Sequence, residues 1–184
     1  MKKLLFIALA LVLFLGCKKE TPGEPTAPAA SDAAKPDTEQ QAEFTDAKYT
    51  EIGKKHMAAL ASGDMDAWMG DYADNAKYYW NAGDSLVGKP AIDKFWRDRR
   101  LNMIESLVYK NDIWFPIKIN KPQRLETPGV WLMSWFEVTV KYKGGSSMTQ
   151  WMHILYHFDA NDKIDEVDHF ADRVPIQAAM PKKK

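Results

Sequence analysis

The sequence predicts an α+β domain: three N-terminal helices packed on a strongly curved, mixed but largely antiparallel sheet, forming a cone with a pocket at its mouth. Three observations predict it. Apolar residues recur at helical spacing as far as Met103, they alternate in long strand-like runs from about Ser106 onward, and large side chains occupy both faces of those runs.

Each element follows from local chemistry. Tyr49, Ile52, His56, Met57 and Leu60 share one helical face after a cap expected at Thr45, and Ser62-Gly63 stops that helix. Asp64 then caps a second helix whose apolar face is Met65, Trp68, Met69 and Tyr72. The Asp74-Asn75 break leads to a first strand at Tyr78-Tyr79-Trp80, and Asn81 to Gly83 turns the chain. Gly88-Lys89-Pro90 opens a third helix, with Ile92, Phe95, Trp96 and Met103 on its apolar side. Four strands are expected at about 106–120, 130–142, 148–158 and 163–171, with Gly144-Gly145 and Asp159 to Asp162 as turns between the last three.

The N-terminus carries an address. Lys2 and Lys3, an apolar run from Leu4 to Leu15, and Gly16 before the only cysteine form a secretory signal too short for a comfortable transmembrane helix. Gly16-Cys17 resembles a bacterial lipobox, although Phe14 and Leu15 depart from its usual pattern. The resemblance implies cleavage after residue 16, lipidation of Cys17, and a place in the bacterial cell envelope. Lys18 lacks the aspartate that retains some lipoproteins in the inner membrane, so the outer membrane is favoured. An ordinary signal cleaved elsewhere and an uncleaved anchor are the competing readings.

Residues 17–43 contain no large apolar side chain and read as a disordered tether, 44–180 as one domain, and 181–184 as a basic tail. Removing residues 1–16 takes two lysines from the 25 basic residues, leaving 23 against 25 acidic ones, so no nucleic-acid partner is implied. Arg97, Arg99 and Arg100 read as a solvated end. With Cys17 lipidated the domain has no thiol, which excludes disulfides, thiolate metal sites and cysteine nucleophiles.

Residues His56 to Asp66, Asp71 to Ala76, Gly88 to Ile92 and Tyr156-His157-Phe158 through Ile164 resemble the nuclear-transport-factor-2-like superfamily, which includes SnoaL-like cyclases and ketosteroid isomerases. The resemblance covers most of residues 48–175. Where the steroid isomerases carry an oxyanion-donating tyrosine, an aspartate base and a protonated aspartate, this chain has His56, Trp80 and Ile154, so that chemistry is excluded. The same registration directs Met152, Ile154, Tyr156, Val167 and His169 inward, with Phe136, Val138, Tyr72, Trp80 and His56. These ten are the expected pocket.

His56 and His169 are the candidate catalytic groups, since an imidazole can serve as base near neutral pH; the competing reading is a buried histidine hydrogen-bonded to a neighbour. Asp168 or Asp172 would orient His169, unless Asp165, Glu166, Asp168 and Asp172 are only a solvated acidic edge. His153 and His157 lie about 13 Å apart along a strand, too far to share one metal ion, so no metal site is expected. With Trp151 and Leu155 they form an outer sheet face suited to a homodimer. The seven tryptophans offer a stacking surface, though most suit a core.

Two functions fit: an envelope domain binding a small apolar or aromatic ligand without a cofactor, or a SnoaL-like isomerase, cyclase or hydrolase. A protein-interaction module is a third. A cavity separates the first two from the third, and a histidine–aspartate pair inside it favours the enzyme.

Overall fold

Helix α1 (Lys48–Ser62) buries one face, Tyr49, Gly53, His56, Met57 and Leu60, at helical period throughout. The computed structural model describes residues 39–123 and 127–181, so the expected signal, Cys17, most of the tether and the last lysines lie outside the described residues. Among the described residues no helix is long and apolar enough to cross a membrane.

The expected cap at Thr45 is replaced by Ala47, with Asp46 Oδ1 accepting from Lys48 N–H at 2.8 Å. Thr45 is committed elsewhere, its N–H donating to Pro116 O at 3.1 Å. Gly63, at φ 86°, ends α1 in the left-handed conformation expected of glycine. Asp64 caps α2 (Met65–Gly70) through its carboxylate, which accepts from Ala67 N–H at 3.0 Å.

Tyr72 belongs to strand β2 (Tyr72–Trp80), not to the face of α2. Asp74-Asn75 does not interrupt the chain. It sits where the register of β2 against β7 shifts between Tyr72 and Lys77, so the break signal is expressed as an irregularity within a strand. A three-residue strand β3 (Ser85–Val87) follows, then α3 (Lys89–Asp98) with proline in its first turn, and a π-helical turn over Arg99–Met103.

The long strands β4 (Ile104–Ile119), β5 (Gly129–Tyr142), β6 (Ser147–Phe158) and β7 (Ile164–Phe170) fall close to their expected limits. Three short elements were not legible, and β3 is one of them. Strand β1 (Ala42–Phe44) pairs with β4, so ordered structure begins before the expected boundary at residue 44, and helix α4 (Arg173–Ala179) follows β7. The seven-stranded sheet runs β1-β4-β5-β6-β7-β2-β3, antiparallel except for the β2–β7 pair. The α+β class and the mixed sheet are therefore as expected.

Two contacts hold α1 to the sheet and to the helix ahead of β4. At Gly53 an added Cβ would lie 2.4 Å from Leu132 Cδ2 and 2.8 Å from Trp114 Cζ3, so the backbone itself touches β5 and β4. At the other end Arg100, buried, donates to Leu60 O at 2.7 Å and Ala61 O at 2.6 Å, satisfying carbonyls at the C-terminus of α1. Gly53→Ala should gain at most about 1 kcal/mol in helix propensity and lose about 1–3 kcal/mol to overpacking. We expect a lower urea midpoint for this variant; an unchanged or raised midpoint would show that Leu132 and Trp114 can yield.

Candidate functional site

Between the helices and the inner face of the sheet lies a cavity of about 290 Å³. Its walls come from α1 (His56, Met57, Leu60), Trp68 of α2, β2, α3 and the four long strands, and α4 contributes Arg173, Ile176 and Gln177. Nine of the ten expected residues line it: His56, Tyr72, Trp80, Phe136, Val138, Met152, Ile154, Tyr156 and His169. Val167 is the exception. It is fully buried, but its short side chain sits in the core between its strand neighbours Tyr78 and Tyr156. Of the tryptophans only Trp68, Trp80 and Trp96 reach the cavity.

The two inner histidines have different partners and so present different faces. His56 Nδ1 lies 2.9 Å from Asp71 Oδ2; a carboxylate only accepts, so Nδ1–H donates to it. Burial pulls the His56 pKa down and outweighs the opposing pull of Asp71, leaving a neutral ring. Its Nε2 is then an acceptor with no protein partner among the described residues. Trp68 stacks on the ring at 5.1 Å, and Tyr72 and Tyr156 meet it edge-on.

His169 is oriented by Tyr78, not by an aspartate: Tyr78 Oη lies 2.7 Å from its Nδ1. Met152 Sδ, 3.4 Å from Nε2, can only accept, so the neutral imidazole carries its proton on Nε2 and its Nδ1 accepts from the Tyr78 hydroxyl. This leaves His169 without a free basic nitrogen. Of the aspartates expected to orient it, Asp168 alternates to the opposite face of β7, and Asp172 caps α4 by accepting from Val174 N–H at 2.9 Å. Asp165 is held by His157, and Glu166 accepts from Thr127.

His153 and His157 are spent separately. His153 Nδ1 donates to Ser134 O at 2.8 Å and its ring stacks on Trp135 at 4.1 Å, whereas His157 pairs with Asp165 and lies under the Thr127–Gly129 segment, near Pro128 O. Together with Phe170 and Trp151, about half exposed, His153 and Trp135 make an apolar outer face.

The arginine cluster is not one solvated end. Arg97 pairs with Asp66 and Asp93 on the surface, Arg100 is buried against α1, and Arg99 lines the cavity. Arg173 also lines it, bound to Asp84. Two buried donors in the aromatic wall, Tyr72 Oη and Trp96 Nε1, have no partner among the described residues. Sequence reasoning missed Asp71, Tyr78, Arg99 and α4; only α4 carried a local signal, Asp172 as cap with Pro175 in the first turn.

No protein-family model and no curated protein matches this chain. Solved structures do. A Xanthomonas campestris protein provisionally named a polyketide cyclase superposes with TM-score 0.57 at 12% identity, covering 72% of this chain and 97% of its own. An LEH-like epoxide hydrolase of M. tuberculosis gives 0.51 at 10% identity over 72% of this chain and 89% of its own. A nuclear-transport-factor-2-like protein from an Exiguobacterium species gives 0.53 at 17% identity over 65% and 96%. The chain has the nuclear-transport-factor-2-like fold, as its helical motifs and last hairpin implied.

Burial of uncharged imidazoles makes stability depend on pH. His56, His153 and His169 all have pKa values lowered by burial from the ordinary 6.5, His169 to about 3. The unfolded chain binds these protons first, so the stabilisation is complete above about pH 6.5 and is lost as pH falls. Asp168 works the other way: burial and Glu166 raise its pKa from 3.8 to about 6, so it favours the folded state at the acid end of that window. Urea denaturation should show stability falling below about pH 6.5, by up to about 1.4 kcal/mol per pH unit for each fully buried imidazole. His169→Gln should flatten the slope. A profile already flat in the parent protein down to about pH 4 would contradict the neutral assignments.

Proposed function

We propose that this chain is an exported lipoprotein, tethered through Cys17 to the periplasmic side of the bacterial outer membrane, whose cavity binds a small apolar or aromatic molecule. The cavity supports the reading more than any other observation. Interiors pack with few voids larger than a water molecule, and ligand pockets start near ~300 Å³, so about 290 Å³ walled by Trp68, Trp80, Trp96, Phe136 and five tyrosines is room for a ligand of modest size. Flat rings gain both burial and ring–ring contact in such walls. No cofactor is part of the reading.

A second reading has its own observation. His56, held by Asp71 with Nε2 unpaired, is the arrangement that acid–base chemistry needs, and cyclase and epoxide hydrolase are among the names borne by proteins of this fold. Fold alone does not choose between them. Binding without turnover is favoured because His169 offers no second base and, among the described residues, the only carboxylate that lines the cavity is Asp84, bound to Arg173.

Native mass spectrometry of the full chain, purified in mild detergent from the organism that makes it, should show a small-molecule adduct. The same spectra count chains, and a second copy seated on the Trp135, Trp151 and Phe170 face would double the mass. A chain recovered repeatedly folded and bare would count against ligand binding. If the recovered molecule is chemically altered by the parent protein but not by His56→Gln, the enzyme reading takes its place.

The anchor is tested separately. Cys17→Ala should abolish fatty-acid labelling and release the protein from the membrane fraction. Retention of both by the variant would sink the lipoprotein assignment.

A further inference from the structure

The charged side chains that line the cavity do not balance. Among the described residues that line it these are Asp84, Arg99 and Arg173, and Arg173 is bound to Asp84, so two cations against one carboxylate leave one positive charge over. The chain as a whole has 25 basic and 25 acidic residues, so this excess is local.

The excess charge is Arg99. Its neighbours in sequence show what arginines here do when the protein supplies partners: Arg97 takes two carboxylates and Arg100 two carbonyls. The Arg99 guanidinium has no hydrogen bond or ion pair among the described residues, although the residue is partly buried. It lines the same cavity as Tyr78 and His169, the polar pair of the wall, and its charge acts on both. It also stands at the first position of the π-helical turn, a geometry frequent at functional sites.

We propose that Arg99 is the anion-recognition residue of the cavity and that the ligand is a small flat carboxylate, its ring among Trp80, Trp96 and Tyr78 and its carboxylate on the Arg99 guanidinium. This rests on the ligand-binding reading above and narrows it. An arginine binds a carboxylate through two parallel N–H donors, and the partly buried setting weakens competition from water. Arg173 cannot take this part without surrendering Asp84. A neutral apolar ligand would leave the guanidinium desolvated and unpaired, which disfavours it.

The test uses the full chain in detergent micelles, titrated calorimetrically with cinnamate and with its neutral isostere cinnamamide, micelles alone being the blank. Cinnamate should bind between about tenfold and a hundredfold tighter than the amide, and Arg99→Gln should erase that preference while leaving amide affinity within about twofold. Arg99→Lys, which keeps the charge without the fork, should retain part of the preference. Equal affinity for the two probes in the parent protein would overturn the proposal and leave cavity binding standing. Absence of binding by both would overturn the cavity reading and the proposal together. Should Arg99→Gln fail to fold, the salt dependence of the parent protein decides: cinnamate affinity that does not fall with added salt also overturns it.

Discussion

A buried, uncharged imidazole that must be satisfied on one side only is the constraint on which this structure turns. His56 sits on α1, its partner Asp71 at the junction of α2 and β2, and its ring is walled by Trp68 of α2, Tyr72 of β2 and Tyr156 of β6. Removing one member of such a pair leaves a buried polar group unpaired, at about 1–3 kcal/mol. One bond therefore fixes where α1 lies relative to the first inner strand. It also fixes the tautomer, and with it the acceptor turned toward the cavity.

The rest of the helical layer is held by contacts of the same economy. Gly53 lets the α1 backbone rest directly on Leu132 and Trp114, so the helix is close to the sheet at that point. Arg100 ties the far end of α1 to the turn before β4 by two carbonyl bonds. Between these fixed points the large residues of β5 and β6 meet helix side chains only part of the way, and the remaining space is the cavity. Helix α4 then packs on β6 and brings Ile176 and Gln177 to its wall. The cavity is thus a consequence of where α1 is pinned.

What was legible in the sequence was what depends on neighbours in sequence. Gly63 and Asp64 announce a helix stop and a helix cap that need only a few residues of backbone to operate, and both work as read. The four long strands declare themselves by alternation. Strands β1 and β3, three residues each, are defined by the strand beside them, and no pattern of that length can say so. The inner residues of β5, β6 and β7 followed from alternation plus the resemblance. Val167 obeyed the alternation yet missed the cavity, because facing inward does not set how far a side chain reaches. Partner choice was the least legible layer: Asp71 lies fifteen positions from His56, and Tyr78 lies ninety-one from His169. Acidic residues close to His169 in sequence drew attention that belonged to a tyrosine on the adjacent parallel strand.

The three arginines show the same point at its sharpest. Residues 97, 99 and 100 have identical chemistry within four positions, and a sequence reading has no ground to separate them. The structure separates them by angle. Successive helical side chains point about 100° apart, so Arg97 faces the surface carboxylates of α2 and its own helix, and Arg99 and Arg100 diverge from one another. The widened π-helical turn from Arg99 to Met103 closes with Ile104 N–H donating to Arg99 O, so the helix ends where β4 begins. The backbone at Arg99 is consequently fixed at both its helical and its strand side. Arg100 is consumed in holding α1, and that fixed support leaves the guanidinium one residue earlier on the cavity wall with its hydrogen bonds unspent.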